Sequence, residues 1–132
     1  MLGARPCISG ALGRTMASTD ILTGWREVMC DAVRADGPDL SMRQWSILLT
    51  VYLNPGPHTV RAMARDLNVP KPAISRALDA LSILDFVKRV RDPNDKRIVL
   101  VQKTAAGAIY LDEFAHLVQS HSEDQPLSAL YG

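Results

Sequence analysis

Apolar positions along the chain fall into five runs with helical spacing and one stretch where the period shortens to two. In STDILTGWREVMCDAVRA, residues Ile21, Leu22, Trp25, Val28, Met29, Ala32 and Val33 recur three and four apart. That is an amphipathic helix with Ser18 or Thr19 as its N-cap. ADGPD breaks the pattern, and Ser41 is placed to cap a second run, SMRQWSILLTVYL, whose apolar side is Trp45, Leu48, Leu49 and Tyr52 or Leu53. NPGP at 54–57 ends it. Thr59 then caps VRAMARDL, a two-turn helix turning Val60, Met63, Ala64 and Leu67 inward.

Asn68 suits a left-handed corner, Val69 tucks back in, and Pro70 blocks continuation, so a new helix starts at Lys71. Pro72 is harmless there, because a first-turn N–H has no intrahelical acceptor to lose. Along this fourth helix Ile74, Ala77, Leu78, Leu81 and Leu84 bury, while Pro72, Ser75, Arg76 and Asp79 share the opposite face. FVKRVRD and RIVLVQK alternate apolar and polar around the turn-rich DPNDKR, which predicts a hairpin. Thr104 caps the last helix, AAGAIYLDEFAHLVQSHS, with Ile109, Leu111, Phe114, Leu117 and Val118 as its apolar side.

Two helices meeting at a steep angle need a small residue at the crossing, a corner that tolerates positive φ, and apolar anchors on the second helix. Ala64, Asn68, Val69, Ile74 and Leu78 supply these at helix-turn-helix spacing. In such a unit the second helix enters the major groove, and its outward face is Lys71, Pro72, Ser75, Arg76 and Asp79. Arg76 can fork onto a guanine edge, while Lys71 and Ser75 suit phosphate or base contacts. The alternative for this face is plain solvation. The hairpin that follows makes a wing whose tip can reach the minor groove.

Charge placement agrees with a polyanionic partner. The chain has 132 residues and a formal charge of +1, but residues 58–103 hold ten lysines and arginines against five aspartates, whereas the remainder holds five basic and nine acidic residues. A concentrated positive field favours phosphates over a neutral partner. Composition is ordinary for a folded chain, with 47% apolar and 22% charged residues. The length suits one domain: a flexible tail over 1–17, a folded region over 18–121 and a tail over 122–132. The N-terminal residues lack a signal-peptide core, since Gly10 and Gly13 interrupt it, and no run approaches the roughly 20 apolar residues of a membrane span. A cytoplasmic location fits two cysteines, Cys7 and Cys30, with no paired spacing.

The segments LSMRQWSILL, TVRAMARDLNVPKPAISRALDAL, FVKRVRDPNDKR and KTAAG resemble the MarR family of winged-helix transcription regulators over about residues 18–120. The fold this implies is mainly α, in the α+β class: a winged helix-turn-helix with a two-stranded wing, flanked by N- and C-terminal dimerisation helices. The function it implies is sequence-specific binding of double-stranded DNA by a homodimer that represses transcription from a palindromic or pseudo-palindromic operator. Asp95 and Arg97 match the family's D-x-R wing motif, in which the acid braces the arginine that enters the minor groove. Lys96 falls at the tip, and Arg89 and Arg91 lie in the strand leading to it, where strand solubility explains them as well as phosphate contact does. Thr59 could offer its helix N-terminus to a phosphate. Two departures stand out. Asp85 replaces the glycine usually found before the first wing strand, and the C-terminal segment is short for the family's dimer interface.

Trp25, Met29, Met42, Trp45 and Tyr52 could line a small-molecule effector pocket, although core packing accounts for them equally. Cys30 and Cys7 raise a thiol sensor like that of the family's peroxide-sensing branch, but Asp31 beside Cys30 disfavours a thiolate. His116 and His121 are off the spacing of paired helical metal ligands. No catalytic constellation, cofactor motif or metal site is expected, so the chain reads as a non-enzyme. The rival reading is a winged-helix adaptor that binds protein and barely touches DNA.

Overall fold

Side chains that close the ends of helices set the element boundaries. In the computed structural model, which describes residues 15–123, the order is α1 (Thr15–Arg34), α2 (Met42–Leu53), β1 (His58–Thr59), α3 (Val60–Leu67), α4 (Lys71–Ile83), β2 (Val87–Arg91), β3 (Val99–Lys103) and α5 (Ala105–Glu123). Ser41 and Gln44 form a reciprocal capping box at α2, Ser41 Oγ accepting from Gln44 N at 3.1 Å and Gln44 Oε1 from Ser41 N at 2.9 Å. Thr59 Oγ1 accepts from Ala62 N at 3.0 Å to start α3, and Thr104 Oγ1 does the same for Gly107 N at α5. The first helix begins at Thr15, three residues before the expected cap. The segments 1–14 and 124–132, with Cys7, lie outside the described residues.

The corners on either side of α4 both turn through left-handed residues. Asn68 has φ 56°, and Asn68 N and Val69 N donate back to the carbonyls of Arg65 and Ala64. Asp85 has φ 62°, and Asp85 N and Phe86 N return to Ser82 and Leu81 at 2.9 Å each. These are paired Schellman closures, and in the second the buried Phe86 sits beside the buried Leu81 that its amide caps. Asp85 therefore takes a left-handed conformation of the kind that glycine adopts most readily.

Strands β2 and β3 pair antiparallel from Val87↔Lys103 to Arg91↔Val99, as the alternation predicts. The wing is not confined to two strands: β1 pairs with β3 through His58↔Val101 and Thr59↔Leu100, giving the order β1-β3-β2. Two residues after a proline carry no readable alternation, so this third strand depends on its partner.

Contacts group the chain into two compact units. The first, Pro38–Glu113, is built on Ile47, Leu48, Val51, Met63, Ile74, Ala77, Leu78, Leu81, Phe86, Val87 and Val101. The buried side of α2 is thus Ile47, Leu48 and Val51, whereas Leu49 and Leu53, expected inside, are exposed. ILLTVYL is apolar almost all round, so its period cannot choose a face. Tyr110 stacks on Phe86 at 4.4 Å and on Trp45 at 5.7 Å.

Tyr52 closes this unit. Its hydroxyl accepts from Thr104 N at 2.9 Å and lies 2.8 Å from the Phe86 carbonyl and 3.0 Å from that of Thr104, to either of which it can donate. Thr104 Oγ1 donates to the Asp85 carbonyl at 2.6 Å. Gly107 is buried against this knot, and a Cβ there would run into the Tyr52 hydroxyl and the Phe86 carbonyl.

The second unit joins the segment up to Gly37 with that from Phe114. In it His121 lies between two acids of α1, its ring nitrogens 2.7 Å from Asp31 Oδ2 and 3.1 Å from Glu27 Oε2. The His121 hydrogen bond, with Arg34 2.8 Å away on the other side, holds the Asp31 carboxyl below its usual range. Val28 is buried, but Ile21, Leu22, Trp25, Met29 and Val33 are exposed.

Two substitutions test these closures by urea unfolding. Gly107→Ala should lower stability by about 2–3 kcal/mol, because the added methyl has no space to enter. Asp85→Gly should raise it by roughly 0.5–1 kcal/mol by relieving a left-handed side-chain conformation. A neutral result at Gly107 would show that the knot yields.

Candidate nucleic-acid interface

The rotation of α4 about its own axis is fixed by Ala73, Ile74, Ala77, Leu78 and Leu81, all buried. Lys71, Pro72, Arg76 and Asp79 are consequently exposed, and Ser75 is half-buried beside them. The helix opens on Pro70, whose carbonyl accepts from Ala73 N at 2.9 Å and Ile74 N at 3.3 Å, without a side-chain cap. Its first turn is therefore unobstructed by a capping side chain, with Lys71 and Pro72 at the front and Arg76 one turn behind.

The wing is shaped by its own acids. Asp92 N donates to the Ile98 carbonyl at 3.0 Å, closing the hairpin, while Asp92 Oδ1 accepts from Asn94 N at 2.8 Å. Asp95 grips Arg97 three times: Oδ1 accepts from the Arg97 amide at 3.1 Å and from Nε at 3.0 Å, and Oδ2 accepts from Nη2 at 3.2 Å. The Arg97 side chain remains 90% exposed, held but available. These bonds from Arg97, side chain first and backbone second, keep the Asp95 carboxyl below its ordinary value.

Arg91 donates from Nη1 to the Lys96 carbonyl at 2.8 Å, so it braces the tip, and Lys96 is exposed beyond it. Arg89 and Asp79, which the sequence placed separately on strand and helix, meet as an ion pair. Residues ten apart on different elements give no local signal of such a contact.

Thr59 is at once the end of β1 and the cap of α3, its hydroxyl engaged by Ala62 N. Of the residues named for an effector pocket, Met42, Trp45 and Tyr52 belong to the first unit and Trp25 and Met29 to the second. Trp45 and Tyr52 serve the packing and hydrogen bonding of their own unit, and Met42 is 80% exposed. Cys30 is a free, half-buried thiol. Among the described residues no group of three His, Cys, Asp or Glu side chains is arranged to hold a metal ion.

Residues 39–98 match a family model described as the MarR family. No curated protein sequence matches the chain significantly. Among solved structures, the transcriptional regulator Tm0710 of Thermotoga maritima is 21% identical with a TM-score of 0.63, covering 83% of this chain and 72% of its own. A mutant of S. aureus MepR bound to oligodeoxyribonucleotide is 16% identical with a TM-score of 0.62, covering 91% and 80%. A MarR transcriptional regulator from Methanosarcina mazei Go1 is 18% identical with a TM-score of 0.58, covering 83% and 76%.

The Asp95 brace predicts its own pH dependence. A carboxyl whose folded pKa lies below the unfolded value of 3.8 contributes above that value and loses its contribution as pH falls through the folded one. Carboxyl-carbon NMR titration should give Asp95 a midpoint below 3.8, and Arg97→Ala should return it towards 3.8. An unchanged midpoint in the mutant would show that Arg97 does not hold it.

Proposed function

We propose that the chain, whose residues 39–98 match the model of the MarR family, is a winged-helix transcriptional regulator of that family that reads a palindromic or pseudo-palindromic DNA site as a homodimer and represses transcription there. The observation that carries this reading is the rotation of α4, which buries Ile74, Ala77 and Leu78 and leaves Lys71, Pro72 and Arg76 outward. The recognition helix supplies base contacts through Arg76, with Ser75 and Lys71 on phosphates or bases. The wing supplies Arg97, braced by Asp95, to a minor groove, with Lys96 on the backbone. Thr59 places the start of α3 towards a phosphate. The MepR relative bound to oligodeoxyribonucleotide supports the nucleic-acid partner.

The dimer is supported by α1, where Ile21, Leu22, Met29 and Val33 are 60, 67, 54 and 75% exposed. An apolar run of this kind is costly in water and suits a second copy of the same helix. Twofold pairing sets two recognition helices about 34–36 Å apart, one duplex turn. A protein seated across both half-sites excludes the transcription machinery, which makes repression the simpler output. A small-molecule effector would release the site by favouring another half-site spacing. Among the described residues no helix is long and apolar enough to cross a membrane, and action in the cytoplasm accords with the proposed role.

Selection of duplexes from a random pool, followed by gel-shift titration, tests the reading. The recovered motif should contain two half-sites about 10 base pairs apart. Arg76→Ala should cost about 1–3 kcal/mol of discrimination at one position of each half-site, whereas Lys96→Ala should lower the salt slope by roughly one with little loss of selectivity. Failure to enrich any motif would overturn the reading, and wild-type affinity and slope in both mutants would overturn the contact assignment.

A further inference from the structure

Asp79 is an unexpected residue to find on the outward face of α4. It lies one turn after Ser75 and Arg76, its side chain is 58% exposed, and a bare carboxylate there would meet the like charge of a duplex. Its partner is Arg89 of β2, whose side chain is 34% exposed and whose guanidinium donates to Asp79 Oδ1. Arg89 points this way because it shares a strand face with the buried Val87, while Lys88 points to the other. The wing's other arginines are also held: Arg91 by the Lys96 carbonyl and Arg97 by Asp95. Among the described residues Lys71, Arg76 and Lys96 form no such pair, so the cations of this face divide into held and unheld groups.

An exposed ion pair adds little to folding. What it alters is where a charge can go. We propose that Asp79 is a positioning residue for specificity, acting through Arg89 and not by touching DNA itself. Resting on the DNA-reading function proposed above, it holds the Arg89 guanidinium beside the recognition helix. From that place Arg89 meets a backbone phosphate only when α4 is seated in its correct register. A free Arg89 would bind phosphates in any register, strengthening sequence-independent binding at the expense of discrimination. The negative charge of Asp79 also lowers the positive field next to Arg76, which weakens attraction to matched and unmatched duplex by a common factor.

The test compares two duplexes, the one recovered from a random pool and a scrambled duplex of equal length, by titration at several salt concentrations. Asp79→Asn should tighten binding to the scrambled duplex ~3–10-fold, steepen its salt slope by roughly one, and reduce the ratio of the two affinities by about tenfold. Asp79→Glu, which keeps the charge, should retain most of the ratio. In an Arg89→Gln background, Asp79→Asn should shift both affinities by one common factor and leave their ratio unchanged. Relaxation of the Arg89 Nε–H group, followed by NMR in protein without DNA, supplies a readout independent of binding: rigid in the wild type and Asp79→Glu, mobile in Asp79→Asn.

An unchanged ratio in Asp79→Asn, an equal loss of ratio in the Arg89→Gln background, or a mobile Arg89 in the wild type overturns the proposal while leaving the regulator standing. A wild type that does not distinguish the two duplexes, with Arg89 rigid, overturns the regulator reading and this inference with it. The ion pair itself would then survive as a structural contact only.

Discussion

One hydroxyl group fastens the unit Pro38–Glu113 together. Tyr52 leaves α2 and meets the amide and carbonyl of Thr104 and the carbonyl of Phe86, at the points where α5 begins and where the chain enters β2. Polar backbone groups at such junctions cannot all pair within their own elements, and leaving them unpaired in a partly buried place is costly. Thr104 shares the task by capping α5 with the same oxygen that donates to Asp85. The price is steric: the hydroxyl occupies the volume a side chain at 107 would take, so glycine is required there for close approach and not for its φ.

From that anchor the direction of α4 follows. Its two flanking corners, at Asn68 and Asp85, close in the left-handed region with matching backbone bonds. Short polar side chains accept this conformation at modest cost, which is why an aspartate can stand at the second corner. With both ends fixed and five side chains buried along its inner face, the helix has one rotation open to it. The exposure of Arg76 is thus a result of packing at Ile74, Ala77 and Leu78 rather than of any preference of arginine itself.

The second theme is restraint of charge. Asp95 on Arg97, Asp79 on Arg89 and the Lys96 carbonyl on Arg91 each fix a guanidinium that would otherwise sample many rotamers. Ordering such groups before binding removes an entropic cost from the complex. The acids scattered through the basic window therefore shape its field instead of merely diluting it.

The caps of α2, α3 and α5, the corner at Asn68, the outward face of α4 and the wing hairpin were legible from the residue pattern, because each rests on interactions within a few positions in the chain. Ser41 with Gln44, Thr59 with Ala62 and Asp95 with Arg97 are two or three residues apart. Tertiary structure alone decided the rest. The two-residue strand at His58 exists because β3 offers it a partner, the inner face of α2 was chosen by the core among near-equal apolar sides, and Tyr52 found acceptors 34 and 52 residues away. The pairing of Asp79 with Arg89 belongs to the same class. Periodicity states which face of an element can bury, but contacts between distant elements are set by how the chain closes in space.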